Sequence, residues 1–203
     1  MNKATFSFWR AASAALVLAL FAPLGGCAPA VEKPPLADSG VGGAFTLTDQ
    51  DGRRVSDGDF AGKYRLIYFG YTFCPDVCPV DVQVLMKGYR ELEASDPALA
   101  AKIQPIFITV DPDRDTPAVL KQFVGAFHPK LIGLTGSPAE IAAVAKKFAI
   151  YYRKQPAAAG SDAYLVDHSR QAMLFGPKGE PLALITQDKD AAAVVSDLKR
   201  WAK

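Results

Sequence analysis

Residues 64–71, YRLIYFGY, form a continuous apolar and aromatic run. Such a run is typical of a central strand that is covered on both faces, because a strand with one face in water alternates apolar and polar residues. A second run of the same kind, IQPIFITV, occupies residues 103–110. Two strands of this kind require a layered fold in which helices cover the sheet.

Segments with helical patterns alternate with these strands. We expect helices over residues 80–95, 116–128 and 137–148, and the last two begin with a Thr-Pro or Ser-Pro pair that is typical of a capped helix start. An Asp-Gly pair within AFTLTDQDGRRVS, which begins at Ala44, predicts an N-terminal hairpin. The chain ends in a strand hairpin and a helix. The sequence therefore predicts an α/β fold with a central mixed sheet flanked by helices and an N-terminal hairpin extension.

The size and charge of the chain fit one globular domain with a tail. Half of its 203 residues are hydrophobic, which is enough for a core that needs no covalent staples. The formal net charge is only +2 and no basic stripe is present, so nucleic acid is excluded as an expected partner.

The first 26 residues have the composition of an export signal. Two basic residues precede AASAALVLALFAPL, an uncharged stretch shorter than the roughly 20 apolar residues of a membrane span. The following LGGC, residues 24–27, resembles the lipobox of bacterial lipoproteins, which implies cleavage before Cys27 and lipid attachment to it. The alternative is an uncleaved anchor helix that runs to about Val31. Either way, we expect a domain that is membrane-anchored and lies on the periplasmic face of the cytoplasmic membrane.

Residues 27–43 are rich in proline, glycine and alanine and are expected to be a flexible tether. The folded domain is then expected over residues 44–203.

Cys74 and Cys78 lie between the predicted strand at 64–71 and the start of the next helix. Ligands gather at the carboxyl ends of strands in open α/β sheets, and a helix N-terminus stabilises a thiolate. A structural disulfide would close a very short loop and contribute about 2 kcal/mol at most, which a domain with this core does not need. A redox pair and a metal site both remain open from the residues alone.

A metal site would need a third ligand, and the chain has two histidines, His128 and His168. His128 is expected at a helix end, where a cation is favoured. His168 is expected in a loop just after one strand and before another.

Four segments together resemble the Sco/SenC family of membrane-tethered copper proteins with a thioredoxin-like fold. These segments are GDFAGKYRLIYFGYT at 58–72, GYTFCPDVCP at 70–79, TVDPDRDTP at 109–117 and YLVDHSRQAMLFGPKGE at 164–180. The resemblance covers the domain from about residue 44 to the end. It implies that Cys74, Cys78 and His168 are copper ligands, and it favours copper over zinc, which the same donors could hold.

The resemblance implies a copper chaperone that binds Cu(I) or Cu(II) and delivers copper to the binuclear copper centre of cytochrome c oxidase. Its expected partners are the copper-accepting oxidase subunit, a copper donor and a thioredoxin-like periplasmic reductant, since an oxidised cysteine pair cannot bind copper. One alternative is a thiol–disulfide oxidoreductase that reduces the cysteines of the oxidase copper site. Another is a peroxidase-like or redox-sensing protein on the same fold.

Two carboxylates are candidates for supporting the ligands without binding the metal themselves. Asp167 precedes His168 and is expected to hold or orient its ring, and Asp111 follows the second buried strand and so points to the same edge of the sheet. Ordinary turn chemistry is an equally good explanation for both residues.

Overall fold

The computed structural model describes residues 32–157 and 163–203. The predicted export signal at 1–26, the alternative anchor helix to about residue 31, and Cys27 lie outside the described residues. Among the described residues, no helix has both the length and the apolar character that a membrane crossing requires.

Most strands belong to a seven-stranded mixed sheet in the order β2-β1-β5-β4-β3-β8-β9. The strands are β1 (Thr46–Asp49), β2 (Arg54–Ser56), β3 (Tyr64–Gly70), β4 (Ile103–Thr109), β5 (Ile132–Thr135), β6 (Tyr152–Lys154), β7 (Val166–His168), β8 (Ala172–Phe175) and β9 (Pro181–Ile185). In the middle of the sheet, β3 runs parallel to β4 and β4 parallel to β5, whereas β8 and β9 are antiparallel additions on the other side of β3. The strands β6 and β7 form a separate two-stranded ribbon.

The helices are α1 (Val77–Ser95), α2 (Pro97–Ala101), α3 (Pro117–Phe127), α4 (Pro138–Lys147) and α5 (Ala191–Trp201). The predicted caps are present, because Thr116 and Ser137 accept hydrogen bonds from backbone amides of α3 and α4. All seven residues of β3 are buried, as its continuous apolar sequence predicts. The N-terminal hairpin is also confirmed, since β1 and β2 pair antiparallel. The fold is thioredoxin-like, with a central mixed sheet flanked by helices.

The domain begins earlier than the sequence predicts. Its compact unit starts at Lys33, not Ala44. The Leu36 N–H donates to the Leu182 carbonyl of β9 (3.0 Å), and the Gly42 N–H donates to the Lys147 carbonyl at the end of α4 (2.8 Å). These hydrogen bonds to the edge strand β9 and to the end of α4 hold a segment that its composition alone predicts to be a flexible tether.

The sheet brings the sequence motifs to one edge. Because β3 and β4 are parallel and in register from Tyr64 to Gly70, the loops that follow them leave the sheet side by side. His168 lies at the end of β7, where it pairs with Tyr152, and is therefore not in the inter-strand loop that the sequence predicts.

Candidate metal centre

The loop after β3 presents its cysteines through a turn and the start of a helix. The Cys74 N–H donates to the Tyr71 carbonyl (3.3 Å), and Cys78 lies in the first turn of α1. The Cys78 N–H points at Cys74 Sγ (3.4 Å), so an amide at the helix N-terminus faces the sulfur. This contact is the interaction expected to favour a thiolate at Cys74.

Gly70, the last residue of β3, makes room for this arrangement. A Cβ atom at this position would lie 3.1 Å from Cys78 Sγ and 2.9 Å from the Tyr68 ring. A larger residue would therefore push the helix start away from the strand end.

Asp115 anchors the beginning of the cysteine loop from the neighbouring strand. Its buried carboxylate accepts hydrogen bonds from the Thr72 amide (3.0 Å), the Thr72 hydroxyl (2.6 Å) and the Thr109 hydroxyl (2.6 Å). Burial raises the pKa of Asp115, although these three donors oppose the shift. Asp115 belongs to the TVDPDRDTP segment, and no local pattern distinguishes it there from Asp111 and Asp113.

The imidazole of His168 is held in one tautomer by the backbone. Its Nδ1 lies 2.8 Å from the Ser169 carbonyl, and a carbonyl only accepts, so Nδ1 carries the proton. Its Nε2 therefore presents a lone pair, 3.0 Å from Cys78 Sγ. The rings of Tyr68 and Tyr71 meet the imidazole edge-on, with centroids 6.4 and 5.8 Å away.

The structure brings Cys74, Cys78 and His168 together. Their donor atoms all lie within 4.8 Å of one another, and both cysteines are free thiols. Cys78 is fully enclosed, whereas Cys74 is 9% exposed and lines an open cavity of about 390 Å³ together with His168. The cluster is thus a small donor set with one accessible side.

The two thiols have different acidities. A hydrogen bond from the Cys78 thiol, together with the backbone amides of Cys78 and Asp76, lowers the pKa of Cys74 to about 3 despite its burial. The same hydrogen bond, together with burial, raises the pKa of Cys78. The pair therefore loses its first proton easily and its second with difficulty.

The carboxylates expected to support the ligands have other partners. Asp167 is among the residues that line the cavity, but its side chain is exposed and accepts a hydrogen bond from Gln155. The Ser169 carbonyl, rather than Asp167, orients the ring. Asp111 is fully buried and bound to Arg114 and Tyr164, so it has no direct contact with the donor cluster.

His128 does not belong to the donor cluster. It caps the end of α3, as predicted, and is buried with Nε2 3.0 Å from a Glu93 carboxylate oxygen and its ring edge-on to Tyr89. Its Nδ1 accepts the Lys130 amide. Both ring nitrogens are therefore used in packing.

An ion pair between the buried Asp81 and the half-exposed Arg170, which the sequence did not predict, lies beside the site. Asp81 is 1% exposed and accepts hydrogen bonds from the Tyr68 hydroxyl (2.9 Å) and from the Arg170 guanidinium (2.8 and 3.1 Å). It links α1 to the residue two positions after His168. The signal was present in the sequence, because Asp81 follows Cys78 by three residues and so shares its helix face.

Two thiolates and one imidazole are a donor set for a soft or borderline metal. Cu(I) favours thiolate, imidazole suits both copper oxidation states, and Zn²⁺ accepts the same atoms. Three protein donors beside an open cavity leave a position for an exchanging ligand. The site can also exchange electrons, since two thiols four residues apart can close a disulfide.

The sequence matches the SCO1/SenC family over residues 33–203. The mitochondrial SCO2 homolog of Bos taurus is 41% identical over 166 residues, which cover 81% of this chain and 61% of that protein. The chain thus spans less than two thirds of the length of this relative.

Solved structures agree with the sequence match. ScoI of Bradyrhizobium japonicum, described with copper bound, is 39% identical with a TM-score of 0.71 over 79% of this chain and 99% of that one. BsSco, described as having a disulfide switch and as a member of a family of cytochrome c oxidase assembly proteins, is 26% identical with a TM-score of 0.59 over 77% of this chain and 90% of that one.

Proposed function

The chain belongs to the SCO1/SenC family, and we propose that it is a copper carrier for the assembly of cytochrome c oxidase. The observation that carries this proposal is the convergence of Cys74, Cys78 and His168 within 4.8 Å at the edge of a cavity. The copper bound by the ScoI protein of Bradyrhizobium japonicum supports the choice of metal.

In this proposal copper is cargo, and the chain's residues both hold and release it. Cys74 is the accessible thiolate and Cys78 the enclosed one, so an acceptor's ligand reaches the metal from the side of Cys74. His168 Nε2 supplies the nitrogen donor that Cu(II) prefers, while the two sulfurs suit Cu(I). The Ser169 carbonyl keeps the Nε2 lone pair available during exchange.

The test is the copper content of the reduced, loaded protein. The chain from residue 33 onward should hold equimolar copper, and Cys74→Ser or Cys78→Ser should abolish tight Cu(I) binding. A Cys74→Ser/Cys78→Ser double variant that kept full copper content would exclude the carrier function.

A second candidate function is reduction of disulfides in a partner, and the low pKa of Cys74 favours it. The Cys74 thiolate would attack the partner's disulfide and form a mixed disulfide, and Cys78 would then attack Cys74 Sγ. The chain would be left with a Cys74–Cys78 disulfide and the partner with two thiols, one proton coming from the Cys78 thiol and one from solvent. Turnover of a model disulfide by metal-free protein with an external dithiol, lost in Cys74→Ser and retained in His168→Ala, distinguishes this reaction from copper transfer.

The carrier needs a donor of copper, the copper-accepting oxidase subunit, and a thioredoxin-like reductant that keeps the thiols reduced outside the cytoplasm. Its proposed place is the periplasmic face of the membrane, anchored by lipid on Cys27, although the bovine relative is named as mitochondrial. Intact mass spectrometry of the native protein tests this anchor. We expect loss of residues 1–26 and a lipid mass on Cys27, and an unmodified N-terminus would exclude it.

A further inference from the structure

From the contacts around its guanidinium, we infer that Arg114 is a positioning residue that sets the distance between His168 and the cysteine pair. This inference rests on the proposed copper site. Arg114 lies in the loop after β4, outside both ligand-bearing segments. It touches no metal-binding atom, yet it contacts both segments at once.

On one side, Arg114 contacts the segment that leads to His168. Its Nη1 donates to the Tyr164 carbonyl (2.9 Å), and the guanidinium carbon lies 3.6 Å from the centroid of the Tyr164 ring. Its Nε donates to the buried carboxylate of Asp111 (2.5 Å), which also accepts the Tyr164 hydroxyl (2.7 Å). Tyr164 is thus fixed through its backbone, its ring face and its hydroxyl.

On the other side, the guanidinium contacts the loop that carries Cys74. Its carbon lies 4.9 Å from the ring centroid of Phe73, the residue before Cys74, and 5.7 Å from that of Tyr71. The Tyr71 hydroxyl accepts a hydrogen bond from the Val166 amide (3.2 Å), which connects the same two segments next to Arg114. The planar cation therefore lies between aromatic side chains from the two halves of the site.

These contacts of Arg114 depend on the shape of the arginine side chain as well as on its charge. The Nη2 atom is buried and has no hydrogen-bond acceptor among the residues that the structure describes. Contact with aromatic faces suits a guanidinium in this environment, because it is planar and more weakly hydrated than an ammonium. A lysine would keep the charge but would lose the stack and the two directed hydrogen bonds.

The consequence for the metal differs between the oxidation states. Cys74 and Cys78 belong to one short segment, and their separation does not involve Arg114. The position of His168 relative to them depends on the segment that Arg114 holds at Tyr164 on one side and on the Arg170–Asp81 ion pair on the other. Loss of the Arg114 contacts should therefore lower the affinity for Cu(II), which needs the imidazole, much more than the affinity for Cu(I), which two thiolates hold.

The experiment compares Arg114→Met and Arg114→Lys with wild type, in the chain from residue 33 onward. Both variants should lose about tenfold or more in Cu(II) affinity, the lower end of what loss of a ligand-orienting partner costs. The thiolate-to-Cu(II) absorption and the Cu(II) electron paramagnetic resonance spectrum should shift, while Cu(I) stoichiometry is kept. Tyr164→Leu should behave like Arg114→Met, and the double variant should be no worse than either single one.

Arg65→Met is the matched control for lost stability. Arg65 is a buried arginine near the opposite end of β3; it donates to two backbone carbonyls and lies 3.4 Å from the Asp57 carboxylate. It should lower the midpoint of thermal unfolding in the same way as Arg114→Met but leave the Cu(II) spectra unchanged.

The outcomes separate the two levels of inference. If wild type binds no copper, the proposed function fails before Arg114 is tested. If wild type binds copper and either Arg114→Met or Arg114→Lys keeps the wild-type Cu(II) spectra and affinity, the positioning role is wrong. Equal spectral shifts in Arg65→Met would also overturn it, because the effect would then reflect stability alone.

Discussion

At the scale of single residues, the proposed function depends on making two chemically identical thiols unequal. Cys78 is enclosed and donates, while Cys74 borders the cavity and receives hydrogen bonds from the Cys78 thiol and amide. An accessible thiolate paired with an enclosed thiol suits ligand exchange and disulfide chemistry equally well. The difference arises from the helix start and not from the cysteines themselves.

This asymmetry predicts the pH dependence of alkylation in the reduced, metal-free protein. Because the pKa of Cys74 is lowered to about 3, its thiolate is already formed at mildly acidic pH. Its rate of reaction with iodoacetamide should therefore be nearly constant between about pH 5 and 7, and modification should spare Cys78. Peptide mass spectrometry after timed quenching measures both. A rate that rises about tenfold for each pH unit would indicate an ordinary thiol.

The second residue-scale prediction concerns His168. His168→Ala should lose about a hundredfold or more in Cu(II) affinity and should lose the thiolate-to-Cu(II) absorption band, while measurable Cu(I) affinity remains. Competition titrations in each oxidation state provide the measurement.

His128→Ala is the control for this variant. It should lower the free energy of unfolding, because His128 is buried and bonded to Glu93, but should leave copper binding in both states unchanged. The opposite pattern would contradict the ligand assignment.

Sequence reasoning identified the three candidate donor residues but not the groups that hold and orient them. Cysteine and histidine are recognisable as candidate metal ligands by their residue type. The group that orients His168 is the backbone carbonyl of Ser169, which a residue of any type would supply. Asp167 was a reasonable candidate by adjacency, but successive residues of a strand point to opposite faces. The β7 strand itself was not predicted at this position, so the sequence did not show which face of the strand carries the Asp167 side chain.

At the scale of elements, the site depends on how closely α1 packs. At Gly88, in the middle of α1, an added Cβ would lie 2.7 Å from Val194 of α5 and 3.0 Å from the Ala191 carbonyl. The helix that carries Cys78 therefore needs a residue without a side chain where α5 crosses it.

A pair of helical glycines tests this packing. Gly88→Ala should lower the free energy of unfolding by about 1–3 kcal/mol through overpacking. Gly125→Ala, in α3, should raise it by up to about 1 kcal/mol, because its added Cβ meets nothing within 4 Å and alanine favours the helix. Urea denaturation of both variants provides the comparison. Equal effects would show that the α1–α5 contact is not limiting.

The elements that the sequence predicted are those with a long apolar run or a recognisable helix cap. The buried run of β3 and the Ser-Pro start of α4 each carry information over several residues, and both are present. The strands β5 and β6 were missed because they have only four and three residues and no alternation of their own. Their structure comes from pairing with β1 and β4, and with β7, which a local pattern does not encode.

At the scale of the whole molecule, the donor cluster is assembled from segments far apart in the chain. The cysteine loop, the loop after β4 and the segment of His168 meet only when the sheet is complete. Metal affinity is consequently linked to folding, since a ligand that binds only the folded state stabilises it. Any segment that stabilises the sheet therefore contributes indirectly to holding the metal.

The segment before the N-terminal hairpin is the clearest such case. The chain from residue 44 lacks the hydrogen bonds of Leu36 and Gly42 and the packing of Val41 on the core. With about 1 kcal/mol for each hydrogen bond and a similar amount for the half-buried valine, its free energy of unfolding should fall by about 2–3 kcal/mol relative to the chain from residue 33. The chain from residue 40 keeps Gly42 and Val41 and should be intermediate. Urea denaturation of the three proteins, each metal-free, measures the series. If all three had the same stability, residues 33–43 would be a tether that only lies against the domain, and the boundary at Ala44 would stand.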